Sequence, residues 1–102
     1  MNNAINDIQT QINSIAVYND ENLKQYQQLL KLGMDRLQYL QKEGLTPMSE
    51  IWVNMAIDEI KKELETRFNA NFSALSPDRQ KTEFLYSRSA VSLVLTNVLM
   101  HL

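Results

Sequence analysis

Each of the chain's two prolines follows a hydroxyl residue, in the pairs Thr46–Pro47 and Ser76–Pro77. A Ser or Thr side chain can cap a helix by accepting a hydrogen bond from a free backbone amide, and proline is tolerated at the first helical position because that N–H has no partner there. Both prolines therefore predict helix starts, with helices at about 47–70 and 77–101. With only two glycines and two prolines in 102 residues, long helices are favoured over many short strands.

Two apolar stripes with helical spacing precede Pro47. The first predicts a helix at about 3–18, and the second predicts one at about 20–43 that ends at Gly44, a residue typical of helix C-caps. The first stripe contains Ile5, Ile8, Ile12 and Ile15, and the second contains Leu23, Tyr26, Leu30, Gly33, Leu37 and Leu40. Because glycine weakens a helix interior, Gly33 indicates that another helix approaches closely there.

The boundary between these two helices is less sharply marked. Asn19 or Asp20 can cap a new helix, but the apolar spacing also continues from Ile15 to Leu23. A single helix of nearly forty residues would extend about 60 Å, which would carry much of its apolar face beyond the other helices. We expect a break, and one continuous helix is the alternative.

Four helices joined by short connections predict an all-α, antiparallel four-helix bundle. The length of 102 residues fits one helical domain spanning 1–102. A composition of 44% hydrophobic and 22% charged residues is that of an ordinary folded protein.

The third helix has more apolar surface in its first half than a core stripe requires. The core stripe contains Val53, Ile57, Ile60, Leu64 and Phe68, and the first two turns add Met48, Ile51, Trp52 and Met55. The second half is charged at the corresponding positions, where Glu63 and Arg67 have the i, i+4 spacing of a pair on a solvated face. We interpret the Met48–Met55 segment as a partner-binding patch, because Trp and Met are common at interfaces. The alternative is that this segment lies at the centre of the bundle.

The fourth helix is apolar on nearly every side. Phe84, Val91, Leu95, Val98 and Leu102 form one face, and the remaining apolar residues are Leu93, Val94, Leu99 and Met100. A helix in a small bundle has one outward face, so this surplus predicts a second partner-binding surface. Small side chains at Ser89, Ala90, Ser92 and Thr96 would permit close helix contact. The alternative is that this helix is the central one of a monomer.

No catalytic, cofactor or metal motif is present in the sequence, and we expect a protein that is not an enzyme and that binds no cofactor or metal. Cysteine is absent, the only histidine is His101, and there is no Glu-x-x-His pair of the di-iron type and no glycine-rich phosphate loop. Nucleic-acid binding is not expected, because the ten basic residues are dispersed among twelve acidic ones.

These patterns predict a small non-enzymatic protein–protein interaction module of the chaperone, inhibitor, immunity or assembly-factor type. It would act by stoichiometric helix-mediated binding and would form a homo-oligomer. The alternative is a DNA-associated regulator of phage or plasmid type that dimerises through its C-terminal helix. Because there is no apolar run of about 20 residues and no basic-then-apolar leader, we expect no membrane association and a cytoplasmic location. The many Asn and Gln residues favour an accessory protein of bacterial or phage origin.

Overall fold

The computed structural model describes residues 2–102, with side chains described from Ala4 onward. Four α-helices, α1 (Asn2–Ser14), α2 (Asp20–Glu43), α3 (Pro47–Lys62) and α4 (Pro77–His101), make up most of this range, which contains no strand. Helix α1 packs on α2 and α4, and α3 packs on the same two helices. The prediction of an all-α antiparallel four-helix bundle is confirmed.

The helix starts follow the local capping signals. The side chains of Asn19, Thr46 and Ser76 accept hydrogen bonds from backbone amides three residues further along, at 2.7, 3.2 and 3.2 Å. These caps begin α2, α3 and α4, and each proline occupies the first helical turn that it was expected to occupy. Satisfying the free amides locally is what fixes these boundaries.

The predicted break between the first two helices is confirmed, and the continuous-helix alternative is wrong. Helix α1 ends at Ser14 rather than at residue 18. The carbonyls of the connecting segment are bound by side chains instead of by further helical amides: Arg88 donates to Ile15 at 2.5 Å, and Asn22 donates to Val17 at 2.8 Å. These bonds satisfy the backbone carbonyls of the connection, so no further helical turn is needed there.

The third helix differs from its predicted extent of 47–70. Its α-helical part ends at Lys62, and the chain continues as a π-helical turn at Glu63–Arg67 and a 3₁₀-helix at Ala70–Ala74. The amide of Phe68 reaches back five residues to the carbonyl of Glu63 at 2.9 Å. The wider turn leads into a segment in which both Phe68 and Phe72 are buried.

An aromatic group of α2, α4 and the α3–α4 connection forms one end of the core. The ring of Tyr26 meets those of Phe84 and Phe68 edge to face, with centroid distances of 5.1 and 5.8 Å. Its hydroxyl shares a 2.7 Å hydrogen bond with Ser87, so both polar groups are satisfied inside the bundle. The predicted isoleucine stripe completes the core: three of its side chains lie on α1 and Ile15 directly follows it, and all four are at most 9% exposed.

Gly33 is buried where α2 faces α1 and α3. A β-carbon added there would lie 3.5 Å from Ile60 Cδ1 and 3.8 Å from Ile8 Cγ2, which is ordinary van der Waals contact. The close approach indicated by the sequence is therefore present, but it leaves room for a methyl group.

We expect Gly33→Ala to raise the free energy of unfolding by about 0.5–1 kcal/mol, because alanine loses less backbone entropy in a helix. Gly44→Ala is the matched control and should lower it by about 1–2 kcal/mol, because Gly44 has a φ of 92° that L-residues rarely adopt. Urea unfolding followed by circular dichroism measures both. A destabilised Gly33→Ala variant would show that Ile60 and Ile8 do not accommodate the methyl group.

Candidate interaction surface

The beginning of α3 and the end of α4 lie side by side at one end of the bundle. Ser49 Oγ donates a hydrogen bond to the carbonyl of His101. One turn further along α3, the indole of Trp52 stacks on the His101 imidazole with a centroid distance of 5.3 Å. The two segments that the sequence analysis selected as partner-binding are therefore neighbours in space.

On α3, three of the four residues of the proposed patch lie in solvent. Met48, Ile51 and Met55 are 55, 53 and 47% exposed. Trp52 differs, because it is only partly exposed and packs against the core as well as against His101. The inward positions of α3 are instead occupied by Ser49, Val53, Ala56 and Ile60.

On α4, the four residues of the proposed surface divide into two pairs. Leu93 and Met100 are 63 and 73% exposed, whereas Val94 and Leu99 are partly buried against the core. Because Leu93 and Met100 are seven residues apart, they lie on the same side of the helix.

Tyr86 belongs to this exposed line and was not among the predicted partner-binding residues. It lies seven residues before Leu93 and is 63% exposed. The Arg67 guanidinium lies over one face of the Tyr86 ring, 4.8 Å from the ring centroid. The seven-residue spacing shows that Tyr86 lies on the same side of α4 as Leu93. That this side faces solvent depends on how α4 packs in the bundle, which the spacing does not show. We refer to Tyr86, Leu93 and Met100 as the α4 ridge.

A buried ionic cluster lies at the other end of the α3–α4 contact. Glu63 is fully buried, and its Oε1 accepts a 2.5 Å hydrogen bond from Arg67 Nε. Arg67 also contacts Glu83 of α4 at 3.0 Å. The expectation of a solvated Glu63–Arg67 pair is wrong, because the π-helical turn carries Glu63 into the interface between the helices.

The neighbouring carboxyl group of Glu63 shifts the pKa of Glu59. No donor among the described residues hydrogen-bonds to the buried Glu63 Oε2, so this oxygen favours a proton on the neighbouring Glu59 carboxyl. Hydrogen bonding to Glu63, then burial, raise the pKa of Glu59 to about 7. Burial alone would raise the pKa of Glu63 too, but its hydrogen bonds with Glu59 and Arg67 outweigh that effect and lower it.

An open cleft of about 300 Å³ adjoins this cluster, lined by Lys62, Arg67, Asn69, Asn71, Phe72 and Glu83 among others. Arg67 is already engaged by two carboxylates there, so its charge is neutralised within the protein. We therefore assign the cluster to the stability of the α3–α4 contact.

The raised pKa of Glu59 predicts a stability that falls as the pH rises. Glu59 binds its proton more tightly in the folded state, so its contribution is complete below about pH 4.5 and is lost as the pH rises through about 7. A shift of this size corresponds to about 3 kcal/mol, and the partial exposure of Glu59 reduces the expected effect to about 1 kcal/mol. Glu63 acts in the opposite sense and destabilises the fold below about pH 4.5.

Glu59→Gln supplies a permanent N–H donor and should flatten the free energy of unfolding between pH 5 and pH 8. Urea unfolding at half-unit pH steps measures this dependence. Glu65→Gln, which changes an exposed carboxylate of the same region, should keep the wild-type profile. An unchanged profile in Glu59→Gln would contradict proton sharing by the pair.

Among the residues that the structure describes, no group of His, Asp or Glu side chains is arranged to hold a metal ion. His101, the single histidine, is engaged by Trp52 and by the Asn97 carbonyl, which lies 2.8 Å from its Nδ1.

Within residues 2–102, no helix combines the length and the apolar character needed to span a membrane. Comparisons with protein-family models, with curated proteins and with solved structures found no match.

Proposed function

We propose that this protein is a small non-enzymatic interaction module that binds other protein surfaces through α3 and α4 and associates with itself. The observation that carries the proposal is the α4 ridge, whose three large side chains are 63–73% exposed along one line of a helix. Single exposed apolar residues are normal on protein surfaces, but apolar residues grouped on one face are typical of interfaces.

The patch on α3 supports the same conclusion. Met48, Ile51 and Met55 expose about half of their surfaces, and α3 is the helix that packs beside α4. Covering apolar surface is worth about 25 cal/mol per Å², so a partner that covered both groups would gain a substantial free energy of association. Met side chains adapt their shape readily, which suits a surface that binds by packing.

The surface chemistry favours a protein partner over nucleic acid. The last Asp, Glu, Lys or Arg residue of α4 is Arg88, and its guanidinium donates to the Ile15 carbonyl. Binding to phosphates requires clustered Lys and Arg, which this face lacks between Ser89 and Met100. Stoichiometric binding of the chaperone, inhibitor, immunity or assembly-factor kind fits such a surface, and the cytoplasm is the compartment we propose for it.

Charged substitutions on the exposed surface should weaken association without unfolding the protein. We expect Leu93→Glu and Met55→Glu each to weaken self-association at least tenfold, because a buried unpaired carboxylate is costly at an interface. Both side chains are well exposed, so the helical circular dichroism signal should be unchanged. Sedimentation velocity at several concentrations measures the association.

Leu32→Glu is the matched control, since Leu32 is 56% exposed but lies on α2. It should associate as the wild type does. Equal weakening by Leu32→Glu, or wild-type association of Leu93→Glu, would contradict the assignment of the surface. Trp52 is a poorer probe, because its contacts with His101 and the core make loss of folding an expected side effect.

A further inference from the structure

We infer that the α4 ridge binds a second copy of this chain, with the two α4 helices antiparallel and a two-fold axis passing close to Leu93. This inference rests on the proposed function and adds the identity of the partner and the geometry of the contact.

The ridge is symmetric about its middle residue. Tyr86 and Met100 are each seven residues from Leu93, or about 10.5 Å along the helix axis in either direction. A two-fold axis at Leu93 therefore places Tyr86 of each copy opposite Met100 of the other, and Leu93 opposite Leu93. Aromatic–thioether contact is favourable, and a two-fold interface requires self-complementarity of this kind.

The charges of α4 favour the antiparallel arrangement. They are concentrated before the ridge, at Asp78, Arg79, Lys81 and Glu83, and the one Asp, Glu, Lys or Arg between Tyr86 and Met100 is Arg88, whose guanidinium donates to the Ile15 carbonyl on the α1 side. Parallel pairing in register would set each of these charges beside its own copy and would align the two helix dipoles. Antiparallel pairing about Leu93 leaves the charged residues 78–83 of each copy outside the paired residues 86–100. It also points the two helix dipoles in opposite directions, which is favourable.

The surface beside Leu93 can receive a side chain. An open depression of about 570 Å³ lies on its α1 side, lined by Asn13, Arg88, Ser89, Ser92, Leu93 and Thr96. Apart from Leu93 its lining is polar, and because Ser89 and Thr96 are small, a facing helix can approach the ridge closely on this side.

The area of the ridge agrees with a dimer that also uses α3. A stable interface covers roughly 800 Å² on each partner, and three large side chains on one helix supply on the order of half of that. The exposed Met48 and Met55 lie on the neighbouring helix at the Met100 end and extend the apolar surface. The contact is therefore centred on α4 and flanked by α3.

Single cysteines test this geometry directly, because the natural chain has no cysteine. In full-length Leu93→Cys, the two sulfur atoms would lie near the two-fold axis, and mild oxidation should give a disulfide-linked dimer in high yield. Tyr86→Cys alone should remain unlinked, since its two copies would be about 21 Å apart, well beyond disulfide reach. An equimolar mixture of Tyr86→Cys and Met100→Cys should link as a heterodimer.

The outcomes separate this inference from the proposed function. If the wild-type protein is dimeric but Leu93→Cys does not link, the pairing geometry is wrong while self-association stands. Efficient self-linking of Tyr86→Cys would indicate parallel helices and would also overturn the inference. A wild-type protein that stays monomeric would overturn the inference together with the self-association in the proposed function. Leu32→Cys, exposed on α2, reports the background of random collision.

Discussion

The rotation of α4 about its own axis decides which of its many apolar residues enter the core and which stay in solvent. Val91, Leu95 and Val98 are buried on one side of the helix, and Phe84 continues that side toward the aromatic group of α2. The hydrogen bond between Tyr26 and Ser87 holds a polar residue of α4 on the same inward side. With this side fixed, the ridge positions necessarily face outward.

The two ends of the α3–α4 contact are held by different chemistry. At one end, the stacked Trp52 and His101 rings and the hydrogen bond from Ser49 close the contact with few charges. At the other end, Arg67 lies between Glu63 and Glu83. A buried carboxylate is costly unless it is paired, and the Arg67 guanidinium provides that pairing for Glu63.

The sequence predicted the features that depend on local hydrogen bonds and on simple periodicity. The caps at Asn19, Thr46 and Ser76 need only their own following residues, and the isoleucine stripe of α1 has one obvious face. The π-helical turn could not be predicted in this way. A Glu63–Arg67 pair at i, i+4 has the same sequence spacing on a solvated face as in a buried interface, and only the packing of α4 against α3 distinguishes the two.

The sequence predicted the candidate surface only where a helix has more apolar side chains than its core face can hold. Met48, Ile51, Met55, Leu93 and Met100 were selected because the helices had more apolar residues than one core face can hold, and all five are exposed. Trp52, Val94 and Leu99 were selected for the same reason and are partly buried, because they lie on the flanks of their helices. Tyr86 was missed because nothing in the sequence shows that Ser87, a polar neighbour, takes the inward position.

We propose that the outward face of α4 is covered by another copy of the chain in solution. Light scattering of the wild-type protein over a hundredfold range of concentration tests this claim most directly. Pairing through α4 predicts a mass that rises with concentration from the 11.9 kDa of one chain toward twice that value. A mass that stays at 11.9 kDa across the whole range would contradict it.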